Sequence, residues 1–107
     1  NPDFDTQDMC VACEVSPSRS ADALIVTGKC RVVGYIVHVA TSTGSTTLDD
    51  GVTDAGAAKI TIPVSTPIGV HHFGGLGILF KSGCFLDYGG GGTISVLVQL
   101  AAGSVLA

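Results

Sequence analysis

From Asp22 onward, apolar and polar residues alternate in short runs separated by Gly, Ser and Asp, the pattern of strands and turns. Ala23-Leu24-Ile25-Val26-Thr27 is a β-branched run closed by Gly28. Cys30 to Ala40 is longer. In an ideal strand Val33, Tyr35, Val37 and Val39 share one face, and Val32, Ile36, His38 and Ala40 share the other. Both faces are mostly apolar, so this strand is expected at the centre of a sheet, covered on both sides. Thr41 to Ser45 form a polar turn around Gly44, and Thr46-Thr47-Leu48 runs into Asp49-Asp50-Gly51, a tight-turn signal. Lys59 to Val64 alternates with Ile60, Ile62 and Val64 inward. Pro63 has no ladder donor and places this strand at an edge. Val70–Phe73 and Ile78–Phe80 flank Gly74, Gly75 and Gly77. Cys84–Tyr88 leads into Gly89–Gly92, and Ile94, Val96, Val98 and Leu100 mark a last alternating strand. No stretch combines a 3.6-residue period with helix caps. Seven or eight short strands, spaced by roughly ten residues, predict an antiparallel all-β sandwich or small barrel over residues 21–107.

Residues 1–20 differ. Asp3, Asp5, Gln7, Asp8, Ser16, Ser18, Arg19 and Ser20 dominate, with Pro2 and Pro17 as breakers. The short apolar insert Met9–Val15 has the makeup of a strand, and the whole segment reads as an N-terminal arm, ordered only where it lies on something. Its acidic start does not have the makeup of a signal peptide.

Composition sharpens this picture. Of 107 residues, 46% are apolar and 13% charged, an excess of apolar side chains for a body with so much surface. Self-association is the expected cover. Nine acidic residues outnumber five basic ones, and Arg19, Lys29, Arg31, Lys59 and Lys81 form no run. Nucleic-acid binding, which needs a clustered basic stripe, is therefore not expected. Nor is a membrane partner: the most apolar stretch, Ile94–Ala107, is interrupted by Gln99 and Gly103 and falls short of the roughly 20 residues of a spanning helix.

The candidate chemistry is sparse. Cys10-Val11-Ala12-Cys13 has half the spacing of a zinc site, but Cys30 and Cys84 are isolated and no histidine pair at finger spacing follows. Reduced structural cysteines are expected, with a disulfide or metal as the alternatives. His71 and His72 project to opposite faces of a strand, so only symmetry copies could bring one of them together at a metal. Asp49, Asp50 and Asp54 surround Gly51 without the alternation of an EF-hand calcium loop. Gly89–Gly92 lacks the Gly-Lys-Ser/Thr ending of a phosphate loop, and reads as a flexible hairpin tip able to approach a partner backbone closely. There is no G-x-S-x-G, and Cys84 with His38 or His71 is the one conceivable nucleophile–base pair. No enzyme, catalytic residue, metal or cofactor is expected.

Thr47-Leu48-Asp49-Asp50-Gly51, Ile60-Thr61-Ile62-Pro63, Phe73-Gly74-Gly75-Leu76-Gly77 and Gly92-Thr93-Ile94-Ser95-Val96 follow one another in an order and spacing that resembles small structural proteins of tailed bacteriophages. The resemblance covers roughly residues 32–101 and transfers no functional residue. It implies a capsid cement or decoration protein: a β-sandwich of jelly-roll type that acts as a homotrimer on the outer capsid surface of the virion and binds the major capsid protein. The trimer interface is expected around Ile36 and His38 or on the Ile94–Leu100 strand. The alternative is a receptor- or carbohydrate-binding module of a phage fibre or spike, which the absence of Trp argues against.

Overall fold

The computed structural model describes residues 13–74 and 76–107, and these form ten strands with no helix among them. The strands are β1 (Cys13–Val15), β2 (Ala23–Thr27), β3 (Cys30–Val39), β4 (Thr46–Asp50) and β5 (Ala57–Ile62), then β6 (Gly69–His72), β7 (Ile78–Phe80), β8 (Gly83–Asp87), β9 (Thr93–Leu100) and β10 (Val105–Leu106). Sheet A has the order β1-β9-β3-β6, with β7 pairing to β3 beside β6. Sheet B has the order β10-β2-β8-β4-β5. Every pairing is antiparallel. The chain is therefore an all-β, two-sheet antiparallel sandwich, as the alternation predicts.

The sheets enclose one core. Ile25, Val26, Leu48, Ile60, Ile62, Cys84 and Leu86 come from sheet B, and Cys30, Val32, Tyr35, Val37, Phe80, Ile94, Val96 and Val98 from sheet A. β3 is central, with β9 on one side and β6 and β7 on the other. β5 closes sheet B as an edge strand, where Pro63 just beyond it needs no ladder partner. β1 adds to sheet A beside β9. Beyond it, Ser16 Oγ accepts the Val96 N–H at 2.8 Å and Arg19 pairs with Ile94. Met9 to Ala12, the earlier part of the predicted first strand, lie outside the described residues.

Four local expectations are corrected. The register of β3 against β9 shifts between Val32 and Gly34, so Cys30 and Val32 share the core with Tyr35 and Val37, although simple alternation separates them. Val64 is exposed and lies beyond β5, because the chain turns at Pro63. Asp49 and Asp50 belong to β4, and the turn falls at 51–56, with the Gly56 N–H donating to the Thr53 carbonyl. Gly89–Gly92 is not a hairpin tip. It carries the chain from β8 in sheet B to β9 in sheet A, and it packs against residues 39–45 of the same chain.

Candidate assembly surface

With Ile94, Val96 and Val98 of β9 turned into the core, Ser95, Leu97 and Gln99 occupy the outer face of sheet A. Ser95 pairs with Ile36, and Ile36 with Val70; Leu97 pairs with Val15 and with Gly34. Gly34 has no side chain, so the diagonal from Leu97 to Ile36 is uninterrupted. Val15, Leu97, Ile36 and Val70 thus form an apolar strip across four of the five strands of sheet A, one residue from each of β1, β9, β3 and β6. Val15 and Val70, at its two ends, are 52% and 63% exposed. On the same face His38 Nε2 lies 2.9 Å from Ser95 Oγ.

The strip continues over the edge of the sheet. β6 and β7 pair with successive parts of β3, and the chain between them leaves the sheet opposite Val33, whose carbonyl accepts the Phe73 N–H at 2.9 Å. Ile68, Val70, Phe73, Leu76 and Ile78 are half of the ten exposed large apolar side chains among the described residues. This segment is therefore the densest apolar surface they present. At Gly77, with φ of +78°, a Cβ would lie 2.5 Å from the Val32 carbonyl oxygen, so glycine alone lets the loop lie this close to β3.

Tyr35 anchors this edge from inside. Its ring stacks on His71, with centroids 5.1 Å apart, and meets Phe73 edge-on at 5.9 Å. His71 Nε2–H donates to the Pro67 carbonyl at 2.7 Å, while His72 Nδ1 accepts the Gly74 N–H at 3.1 Å. The two rings diverge as a strand requires, and each takes part in a local hydrogen bond.

The remaining candidates from the sequence are dispersed. Cys30 and Cys84 are buried thiols in one core; burial pushes the Cys30 pKa up to about 11 and raises that of Cys84 further. Cys84 is sealed in the core while His38 is exposed beside Ser95, so that pair does not meet. Cys13 sits on β1, and Cys10 lies outside the described residues. Among the described residues no group of three His, Cys, Asp or Glu side chains is arranged to hold a metal ion, and no helix is long and apolar enough to cross a membrane.

The three aspartates near Gly51 have separate roles. Asp49 is buried and accepts from Thr47 Oγ1 at 2.9 Å. Burial raises its pKa, the Thr47 bond partly offsets this, and Asp87, Asp54 and Asp22 add to the rise. Burial also acts upward on Asp50, but the Ser82 and Lys81 N–H groups and the Lys59 ammonium outweigh it and hold that carboxyl below its usual range. Asp54 is exposed in the turn.

The sequence reading missed the concentration of exposed apolar residues at 68–78. Its signal was there, in Ile68, Val70, Leu76 and Ile78 spaced among Pro67 and four glycines, but only the pairing of β6 and β7 with one side of β3 shows that they line an edge. Comparison with family models, curated proteins and solved structures finds no match to this chain.

Proposed function

We propose that this chain is a non-enzymatic structural protein of a tailed-bacteriophage particle: a cement or decoration protein that binds the major capsid protein on the outer virion surface as a homotrimer. The observation that carries the reading is the apolar strip Val15–Leu97–Ile36–Val70 and its continuation along residues 68–78. Leu97 is buried and Ile36 half-buried within the chain, but Val15 and Val70 at the ends of the strip and Ile68, Phe73, Leu76 and Ile78 along its continuation stay exposed outside the closed core, and these are the groups open to association.

The strand order supports the same reading. Counting β6 and β7 as one interrupted strand, the sheets β1-β9-β3-β6 and β2-β8-β4-β5 have the order of an eight-stranded jelly roll, with β10 as an addition. Viral shell proteins use that architecture widely. A face strip and an edge strip are different surfaces, so joining one to the other is a heterologous contact, which forms a ring when its rotation closes, as a three-fold does. Three copies match the three-fold positions of an icosahedral shell. A stable contact buries about 800 Å² per partner, and binding to the assembled shell would stabilise it by mass action without chemistry. A sugar-binding role would call for a platform of exposed rings, and among the described residues Phe73 is the one exposed aromatic.

Cryo-EM of particles carrying the chain, compared with particles lacking it, tests the proposal. Added density on the capsid exterior at three-fold positions is expected. Density confined to a fibre or spike, or absence of the chain from purified particles, would contradict it.

A further inference from the structure

A second feature lies at the Cys30 end of β3, where Gln99 and Leu79 follow on from Leu97 and Ile78 of the apolar surface. Lys29 just before β3, Cys30 and Arg31 of β3, Leu79 of β7, and Gln99, Leu100 and Ala101 around the end of β9 line an open cleft of about 200 Å³. This is below the usual range for a small-molecule site and on the scale of a single side chain. Its wall combines apolar groups with two of the five basic residues of the chain, and no carboxylate lines it among the described residues. Among the described residues neither Lys29 nor Arg31 has an ion-pair partner, whereas Lys59 lies 3.5 Å from Asp50. The backbone of the cleft is held in place: the Lys29 carbonyl accepts from the Ala101 N–H at 3.2 Å and from Ser104 Oγ at 2.6 Å.

The described chain starts beside this cleft. Cys13 of β1 pairs with Gln99, and Gln99 pairs with Arg31. The first described residue is therefore two strand spacings, about 10 Å, from Arg31. Twelve residues precede it and span up to about 40 Å when extended. They carry Asp3, Asp5 and Asp8, a third of the acidic residues of the chain, with no basic side chain, and Phe4 stands between two of those aspartates.

We propose that this cleft is the docking site of the chain's own residues 1–12, with Phe4 supplying the apolar fill and Asp3, Asp5 and Asp8 the counter-charges for Lys29 and Arg31. The length and starting point of the segment allow it to reach, and the opposite charges select it. The short tether gives it an effective concentration on the order of millimolar, ahead of any separate acidic peptide. The proposal is independent of the particle role, because it needs no partner.

Hydrogen exchange of the full-length protein, followed by mass spectrometry of the N-terminal peptide, tests it. At low salt the peptide should be protected, with at least about tenfold slower exchange than an unstructured chain. That protection should weaken as salt screens the charges. Lys29→Glu with Arg31→Glu should abolish it, and so should Asp3→Asn, Asp5→Asn and Asp8→Asn together. Combining the first pair with Asp3→Lys, Asp5→Lys and Asp8→Lys should restore it. The exchange of β3 and β9 reports folding in each variant, and the aspartate variants decide the matter if the cleft variants disturb it. Unprotected wild-type residues 1–12, or protection indifferent to the aspartate variants, would overturn the proposal. So would protection that falls on dilution, which would mean docking on a neighbouring copy.

Discussion

The carboxylate of Asp50, at the end of β4, accepts the backbone N–H of Ser82 at 2.8 Å and that of Lys81 at 3.1 Å. One side chain thereby ties the β4–β5 hairpin to the turn between β7 and β8, which carries the chain from one sheet to the other.

That link makes stability depend on pH. The folded pKa of Asp50 is held below its ordinary 3.8, so its contribution is fully present above that value and is lost as pH falls through the lower folded value. Asp50→Ala should cost about 1–2 kcal/mol at neutral pH, discounted because the bonds are solvent-accessible, and should flatten the acid limb of the denaturation profile. Asp49 has the opposite sign. Its raised folded pKa favours the fold at low pH and is a burden once pH rises through it, so Asp49→Asn should raise the melting temperature at pH 7. Urea titrations from pH 3 to 7 check both.

The glycine run should be intolerant of side chains for an internal reason. A Cβ at Gly89 would fall 2.1 Å from the Gly44 carbonyl oxygen, and one at Gly92 would fall 2.4 Å from that of Val39. Both obstacles are backbone, so Gly89→Ala and Gly92→Ala should each destabilise the fold by about 2–3 kcal/mol in thermal or urea unfolding. A run that only had to meet a partner would tolerate alanine in the isolated protein.

The two core thiols should be unreactive in the native state. Cys30 and Cys84 are buried and their raised pKa values keep the thiolate scarce at neutral pH. Labelling with a thiol reagent at pH 7.5 should modify them only as fast as the protein unfolds, and mass mapping of labelled peptides reads this directly. Cys84→Ser should cost about 1–2 kcal/mol, since it places a hydroxyl in an apolar core.

How much of this was legible in the sequence depended on whether the governing interaction was local. β2 runs from Ala23 to Thr27 as its β-branched run suggests, and Pro63 marks the edge position of β5. The centrality of β3 followed from its two apolar faces. The register shift at Val32–Gly34 did not follow, because it belongs to the pairing of β3 with β9, a strand far along the chain, with Gly34 as its one local signal. Asp50 resembles a turn aspartate because its hydrogen-bond acceptors serve amides 31 and 32 residues away. The glycine run was readable as a site of close backbone approach, but whether the approaching backbone belonged to a partner or to residues 39–45 depended on tertiary packing. The surface strip was half legible. Ile36 was singled out, while its companions Val15, Leu97 and Val70 join it only through the strand order.

The most direct measurement is the mass of the purified protein in solution by size-exclusion chromatography with light scattering. At micromolar concentration the wild type should elute at three times its 10.7 kDa chain mass. Ile36→Asp, which places a carboxylate at the centre of the strip, should elute at one chain mass with its secondary structure unchanged. A soluble, monodisperse wild-type monomer, or an Ile36→Asp protein of unaltered mass, would contradict assembly through this face.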